Sequence, residues 1–254
     1  MHTIVYDGTF IGFLTAVFEI YEYKFQDPDI KKEEFANTSL FENFHTVISN
    51  TTKANRVILK LQSLLPSSSL LKLKYAFLSE LAFVENNLFQ YIKYAIDKKE
   101  NIQNDFSNKY VLAIEGAARK TSREAHRMKG FVRFQLSGDG LYFATIQPDH
   151  NILPIISKHF KDRFASQKWL IYDLNRKYGI YYDLSGIVEV NIEMKTSHDE
   201  EGVGMVLHED ETNYQNLWKQ YFKSANIAAR KNTKLHIQQL PRRYWKHLTE
   251  KMIE

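Results

Sequence analysis

The change of hydrophobic period near residue 130 is the feature that most limits the folds open to this chain. Up to Lys129, apolar residues recur mainly at helical spacing, whereas after Gly130 they alternate with polar residues, as in a half-buried β-strand. Helical spacing returns from Thr212 onward. This order predicts an α+β fold rather than regularly alternating βαβ units. We expect a helical N-terminal half packed with a small, mostly antiparallel sheet and with C-terminal helices.

The N-terminal part is expected to open on a short strand and then to become helical. HTIVY and FHTVIS are the strand candidates, and the polar stretch 26–39 between them is predicted to be a loop. The predicted helices span residues 9–24, 53–65, 70–98 and 106–129. The last of these is expected to stop at Gly130, a usual residue after a final helical turn.

The later part begins with a predicted hairpin, because FVRFQLS and LYFATIQ alternate with period two around the turn-forming SGDG. The strands predicted after it are WLIYD, YGIYYD and IVEVNIE, and the predicted helices span 151–164, 212–224 and 242–252. We expect one compact domain over residues 1–254. Its predicted parts are a helical part at about 1–129, a sheet part at about 130–195, an acidic loop at about 196–211 and basic helices at about 212–254.

Composition excludes several kinds of chemistry. The 254 residues include no cysteine, so the chain can form no disulfide and can supply no thiolate to zinc or to an iron–sulfur cluster.

No apolar run approaches the roughly 20 residues of a membrane span. The first residues also lack the order of a secretory signal, in which a basic region precedes an apolar one. We therefore expect a cytoplasmic protein without a membrane contact, and we assign it no cofactor and no metal site.

Charge is distributed unevenly along the chain. The formal net charge is only +4, but residues 199–211 hold six acids and no Lys or Arg. Residues 212–254 hold nine cations against two acids, and residues 116–134, here called the central block, hold six cations against one acid. A scattered surface charge would not give two such blocks, so their distribution favours an anionic partner such as nucleic acid.

The central block would form a ridge of cations on one predicted helix. Three of its arginines stand at i, i+4 and i+8, which places them along one side of the helix. Its candidate nucleic-acid-binding residues are Arg119, Arg123, His126, Arg127, Lys129 and Arg133. Guanidinium groups suit phosphate because their donors match its oxygens in pairs. A solvated helix face would show the same spacing, so the sequence leaves both interpretations open.

The C-terminal block, residues 226–250, mixes cations with aromatic rings. Its candidate nucleic-acid-binding residues are Arg230, Lys231, Lys234, Arg242, Arg243 and Tyr244. Cations can hold the sugar–phosphate backbone, while Tyr244 or Trp245 can stack on an unpaired base. The alternative is that these rings form the core side of a C-terminal helix. We expect the C-terminal block and the central block to come together in space and to form one groove.

Candidate acid–base groups support a rival interpretation, in which the chain is an enzyme acting on a nucleic acid or a nucleotide. The candidates are Glu115, His126 and His159. Asp149 and His150 lie beside the predicted helix that carries His159. The spacing of these histidines fits no familiar metal-ligand motif, and a structural role is the alternative for each group.

Four long segments stand out together along the chain. They are IVYDGTFIGFLTAVFEIYEYK, EGAARKTSREAHRMKGFVRFQ, HFKDRFASQKWLIYDLNRKYGIYYD and LWKQYFKSANIAARKNTKLHIQQLPRRYWKHLTE. Their combination resembles the bacterial "probable DNA metabolism protein" family, domain of unknown function 4130, from about His2 to about Glu250. The resemblance implies a protein encoded beside a putative radical-SAM protein of DNA modification or repair. The acidic stretch TSHDEEGVGMVLHEDE matches no motif of the family.

These observations lead to an expected function. We expect a nucleic-acid-binding accessory protein of DNA repair or modification that works with a radical-SAM partner. The two blocks would hold DNA or another nucleic acid, and the partner would supply the cysteines of the iron–sulfur cluster, since this chain has none. The enzyme interpretation stays as the alternative. A scaffold that binds an acidic protein surface is a third interpretation.

Overall fold

The computed structural model describes residues 2–36, 44–191, 207–225 and 232–251. The chain divides into two compact units, Met1–Ser122 and Arg123–Glu254. Their boundary falls inside one long helix, a little before the predicted change near residue 129. Both units combine helices with a sheet, so the α+β class is confirmed. The expectation of a single compact domain stays a prediction.

The first unit contains a three-stranded parallel sheet with the order β2-β1-β3. Strand β1 (His2–Tyr6) lies in the centre, between β2 (Pro28–Lys32) and β3 (Phe44–Thr46). Helix α1 (Phe10–Glu22) connects β1 to β2. Parallel neighbours require a crossover of this kind, because a tight turn cannot join them. The half predicted to be helical therefore has a sheet of its own.

The predicted loop over residues 26–39 is wrong at strand β2. Its sequence PDIKK carries the proline and lysines that edge strands tolerate and that also mark loops. A side chain from a distant helix completes the pairing. Asn86 Oδ1 accepts the Ile30 backbone N–H at 2.9 Å, and its amide nitrogen donates to Asp29 Oδ1 at 2.7 Å. The strand therefore depends on a partner that its own sequence does not contain.

The other helices of the first unit are α2 (Thr51–Gln62), α3 (Ser67–Phe77), α4 (Val84–Lys98) and the first part of α5 (Lys109–Phe131). The single long helix predicted over 70–98 is wrong, since α3 and α4 are separate. Between them Glu80 and Phe83 have φ angles of 51° and 62°, which no right-handed helix allows. The Ser79 hydroxyl donates to the Ala76 carbonyl and closes α3. No glycine or proline marks this break, so the helical spacing of apolar residues continues across it and predicts one helix.

The second unit contains a five-stranded sheet with the order β4-β5-β6-β7-β8. The strands are β4 (Gln135–Leu136), β5 (Tyr142–Ile146), β6 (Trp169–Asp173), β7 (Tyr178–Tyr182) and β8 (Ile187–Val190). Strands β5 and β6 are parallel and are connected through α6 (Leu153–Arg163), whereas the other neighbours are antiparallel. The prediction of a mostly antiparallel sheet is therefore confirmed for this unit, although β4 is much shorter than FVRFQLS.

The core of the second unit joins the sheet to the end of α5 and to α6. Strand β6 is buried along its whole length. Met128 from α5, Ile156 from α6 and Tyr244 from the C-terminal block belong to the same cluster of buried side chains. The described part of the C-terminal block, residues 232–250, is therefore part of this fold and is not a free tail.

Among the described residues, two α-helices and two 3-10 helices follow the second sheet. They are α7 (Glu211–Ala225), α8 (Thr233–Gln239) and the 3-10 helices Arg242–His247 and Thr249–Lys251. None of the described helices is long and apolar enough to cross a membrane. The α-helix predicted over 242–252 is wrong, because extended backbone at Leu248 (φ −111°, ψ 110°) separates two 3-10 turns. Most of the predicted acidic loop lies outside the described residues.

Candidate nucleic-acid interface

The end of α5 presents the central block to solvent on one side. Arg123, His126 and Lys129 are exposed, whereas Arg127 is half-buried. Arg119 is exposed as well and lies in the first unit. Because a helix has 3.6 residues per turn, the opposite side of α5 faces the core through Glu124, Ala125 and Met128. The helix continues through Gly130 to Phe131, so the predicted stop at this glycine is wrong.

Arg133 closes α5 in place of the glycine. Its Nη1 donates to the Gly130 carbonyl at 2.7 Å, which satisfies one of the carbonyl groups left open at a helix end. The same guanidinium binds Glu250, with Nη2 2.7 Å from Oε1 and Nε 3.3 Å from Oε2. Arg133 therefore fastens the end of α5 to the last 3-10 helix.

Glu124 lies on the inner side of α5 and its carboxylate is buried. It accepts the backbone N–H groups of Asp149 and His150 at 2.9 and 2.8 Å, and the Tyr244 hydroxyl donates to it. One carboxylate thus joins α5, the loop before α6 and the C-terminal block. The sequence does not reveal this role, because one acid among six cations has the pattern of a surface residue. The apolar neighbours Ala125 and Met128 were the available signal.

Tyr244 is a core residue, with only 1% of its surface exposed. Its ring packs against Phe131, with 5.8 Å between the ring centroids. Burial first, and then the hydrogen bond to Glu124, raise the pKa of Tyr244 well above its ordinary value. Its ring therefore cannot stack on a base in this structure. The alternative stated for the sequence, a ring on the core side of the C-terminal segment, is what we observe.

The structure brings the ends of the two blocks together within the second unit. Arg127 Nη2 donates to the Gln238 carbonyl in the last turn of α8, at 3.0 Å. The ion pair of Arg133 with Glu250 makes a second connection. Burial alone would raise the pKa of Glu250, but the hydrogen bonds from Arg133 and Trp218 lower it overall. The carboxylate therefore stays charged opposite the guanidinium.

Internal ion pairs use part of the positive charge. Arg133 is turned toward Glu250, whose side chain is almost fully buried. Arg243 lies 2.8 Å from Asp149 Oδ2 and 3.8 Å from Glu124 Oε1. Both Arg243 and Asp149 remain about half exposed, and a pair of this kind contributes little because water screens it. Arg243 is therefore only partly available to a ligand.

Other cations of the two blocks face solvent. Arg123, Lys129, Lys234 and Arg242 are exposed and form no ion pair with another described residue. Lys246, which the sequence analysis did not single out, is exposed as well. Arg230 and Lys231 lie outside the described residues. The exposed cations form the candidate interface of the second unit.

The candidate acid–base groups show no catalytic arrangement among the described residues. Glu115 is bound by Lys72, whose Nζ is 2.7 Å from Oε2. Burial, together with the charges of Lys129 and Arg163, lowers the pKa of His159. No cluster of three or more His, Asp or Glu in the described part of the chain could hold a metal ion. The enzyme interpretation therefore gains no support from this geometry.

One family model matches this chain. Comparison with curated proteins and with solved structures finds no match. The model for a domain of unknown function, DUF4130, matches residues 83–250. Three of the four segments that carried the resemblance fall inside the match, while the bacterial origin and the radical-SAM neighbour stay predictions. Because the match covers well over half of the chain, this protein belongs to the DUF4130 family.

Proposed function

We propose that this chain is a nucleic-acid-binding accessory protein of DNA repair or modification. The observation that carries the proposal is the group of exposed cations that the end of α5 and the C-terminal block contribute to the second unit. No Asp or Glu stands between Thr212 and Thr249, although many Lys and Arg do. The exposed cations at the end of α5 belong to the same unit, where Arg127 contacts Gln238. A polyanion relieves the mutual repulsion of such cations.

The contacts support binding to the phosphate backbone rather than reading of base edges. The exposed groups are long, flexible cations that suit phosphate. Binding of this type is weakly sequence-dependent and falls steeply with salt, because each neutralised phosphate releases condensed counterions. A role that presents DNA to another protein needs no more sequence preference than this.

The partner we propose is a radical-SAM protein of DNA modification or repair. The motive is the family resemblance, together with the absence of cysteine from this sequence. The partner would then hold the iron–sulfur cluster and perform the reaction, while this chain holds the substrate. A pull-down from the native host that recovers no cysteine-rich radical-SAM protein, at abundances where both proteins are expressed, would contradict this part of the proposal.

The binding proposal is tested by fluorescence anisotropy with labelled DNA at several salt concentrations. We expect the variant Lys129→Ala/Lys234→Ala, with one exposed cation removed from each block, to weaken all sequences alike. The slope of log affinity against log salt should fall by roughly 0.7 to 0.9 for each phosphate that the variant no longer neutralises. Lys158→Ala is the matched control, since Lys158 is an exposed lysine of the second unit that pairs with Asp162 on α6.

Two results would contradict the proposal. The wild-type protein could fail to bind DNA at low salt, which would show that both blocks are solvated surfaces without a nucleic-acid ligand. Alternatively, Lys158→Ala could lower the slope by as much for its one charge as the double variant does for each of its two charges. Binding would then follow the net charge of the protein and not the proposed surface.

A further inference from the structure

Helix α7 turns an aromatic stripe toward solvent. Its sequence predicts an amphipathic helix, in which Tyr214, Leu217, Trp218 and Tyr221 recur at i, i+3, i+4 and i+7. A stripe of this kind normally faces the core. In this structure the four side chains are between 38% and 63% exposed. We call these four residues the α7 stripe.

The stripe has the dimensions and the composition of a stacking surface. Three of its four side chains are aromatic, and the rings of Trp218 and Tyr221 lie 5.7 Å apart at 34°. Tyr214 and Tyr221 are seven residues apart, which corresponds to roughly 10 Å along a helix axis. Each exposed ring offers a face on which one unpaired base can stack, so two or three bases would fit along the stripe.

Trp218 is held in position before any ligand arrives. Its Nε1 donates to Glu250 Oε2 at 2.9 Å, and the Arg133 guanidinium lies 5.2 Å from its ring centroid. These contacts connect the stripe to the end of the central block. A ring fixed in this way loses little side-chain entropy when a base stacks on it.

Cations follow the stripe residues in the sequence, whereas the exposed acids Glu209 and Asp210 precede the first of them, Tyr214. Glu211 is the one acid in α7, and its buried carboxylate is bound to the Leu136 backbone N–H and to Gln215. Glu250 is paired with Arg133. Lys219 lies on α7 itself, and the chain from Thr212 to Thr249 contains no other acid. A nucleic acid could therefore approach Trp218 and Tyr221 without passing a carboxylate of residues 212–249, while Glu209 and Asp210 lie at the Tyr214 end of α7.

We infer that the α7 stripe stacks on the bases of single-stranded nucleic acid, which makes a single strand the substrate of the proposed interface. The inference rests on the proposed function and adds that the interface prefers single-stranded to double-stranded nucleic acid. The exposed cations hold the phosphates, and the rings of the stripe receive unpaired bases, whose faces are accessible in a single strand but covered in a duplex. The stripe takes the role that the sequence analysis gave to Tyr244.

The test compares three variants of the full chain with two probes. The probes are a labelled oligonucleotide of about 15 nucleotides and the duplex of the same sequence, both titrated by anisotropy. Tyr221→Ala should weaken single-strand binding roughly 5- to 100-fold and leave duplex binding unchanged. Tyr221→Phe should bind like the wild type, since its ring is kept. Leu217→Ala is the control, because Leu217 is exposed on the same stripe but cannot stack.

The results distinguish a failure of the stripe from a failure of the proposed function. If the wild type binds DNA but Tyr221→Ala keeps full single-strand affinity, stacking is overturned while nucleic-acid binding stands. If Leu217→Ala costs as much as Tyr221→Ala, the single-strand affinity depends on apolar surface and not on ring stacking, and stacking is overturned again. If the wild type binds neither probe at low salt, the proposed function and the inference are overturned together.

Discussion

The hydroxyl of Tyr244 donates a hydrogen bond to the buried carboxylate of Glu124. The same carboxylate accepts the backbone N–H groups of Asp149 and His150. A buried carboxylate costs free energy unless its oxygens are hydrogen-bonded, so each of these donors stabilises the arrangement. This contact holds the C-terminal block against α5 and so sets the position of the cations on either side.

The first prediction concerns this hydrogen bond. Tyr244→Phe keeps the ring packed against Phe131 but leaves the Glu124 carboxylate with one donor fewer. We expect the free energy of unfolding to fall by about 1–3 kcal/mol, measured by urea denaturation. Tyr214→Phe, which removes an exposed hydroxyl, should change it by less than about 0.5 kcal/mol. Equal effects of the two variants would show that the buried hydrogen bond does not stabilise the fold.

Local pattern was enough to predict the strands of the second unit. WLIYD is a continuous apolar run, and YGIYY follows it after a short turn, so β6 and β7 form a hairpin whose signals lie in neighbouring residues. The edge strand β2 shows the opposite case. Its backbone is completed by Asn86, which lies 56 residues away from Ile30. No local pattern contains such a partner, so the sequence indicated a loop.

The candidate site also combines features that are visible in the sequence with features that depend on distant residues. The two basic blocks are visible in the sequence because charge is a property of each residue. Ion pairs with acids that are distant in the sequence determine which of these cations remain available to a ligand. Arg133, for example, pairs with Glu250, 117 residues away. The burial of Tyr244 and the exposure of Trp218 also depend on packing against distant elements. Hydrophobic spacing alone therefore left the burial of these two rings undecided.

The second prediction concerns Gly12, in the first turn of α1. A Cβ built there would lie 2.1 Å from Asp7 Oδ1 and 2.8 Å from Ser49 Oγ. Asp7 is held in place by hydrogen bonds from Thr9 and Ser49. Gly12→Ala should displace this carboxylate and lower the free energy of unfolding by about 1–3 kcal/mol.

Gly116 in α5 is the matched control for Gly12, because no atom lies within 4 Å of its built Cβ. Gly116→Ala should raise the free energy of unfolding by about 0.4–1 kcal/mol, since alanine restricts the unfolded chain and favours the helix. Thermal denaturation of both variants gives the comparison. A stabilising effect of Gly12→Ala would mean that Asp7 moves without cost.

The third prediction concerns pH. Burial, with a smaller contribution from the charge of Lys246, lowers the pKa of His247 from 6.5 to about 4. The unfolded chain takes up this proton near pH 6.5, whereas the folded chain does so only near pH 4. The contribution of His247 to stability is therefore complete above pH 6.5 and is lost as the pH falls from 6.5 to 4.

The variant His247→Phe isolates this effect. His247 Nε2 is buried without a hydrogen-bond partner among the described residues, so phenylalanine leaves no described donor or acceptor unsatisfied. Between pH 7 and pH 4.5 the wild type should lose on the order of 1–3 kcal/mol more stability than the variant. Urea denaturation at the two pH values measures the difference. Parallel pH profiles would show that the histidine is solvated in the folded protein.

The last prediction compares two adjacent arginines. Arg242 is exposed without a described ion pair, and its guanidinium lies 5.7 Å from the Trp245 ring centroid. Arg243 is paired with Asp149 and donates to the Tyr244 hydroxyl at 2.9 Å. Arg242→Ala should lower the slope of log DNA affinity against log salt by roughly 0.7–0.9, the value of one neutralised phosphate.

Arg243→Ala should lower the slope less than Arg242→Ala does, because Arg243 must leave Asp149 before it can neutralise a phosphate. It should also destabilise the fold, since Tyr244 loses a hydrogen-bond donor. The two variants remove the same charge from neighbouring positions, so net charge cannot explain a difference between them. Equal slopes would show that the pair with Asp149 opens freely when nucleic acid binds. Unchanged slopes in both variants would mean that this end of the C-terminal block contacts solvent and not phosphate.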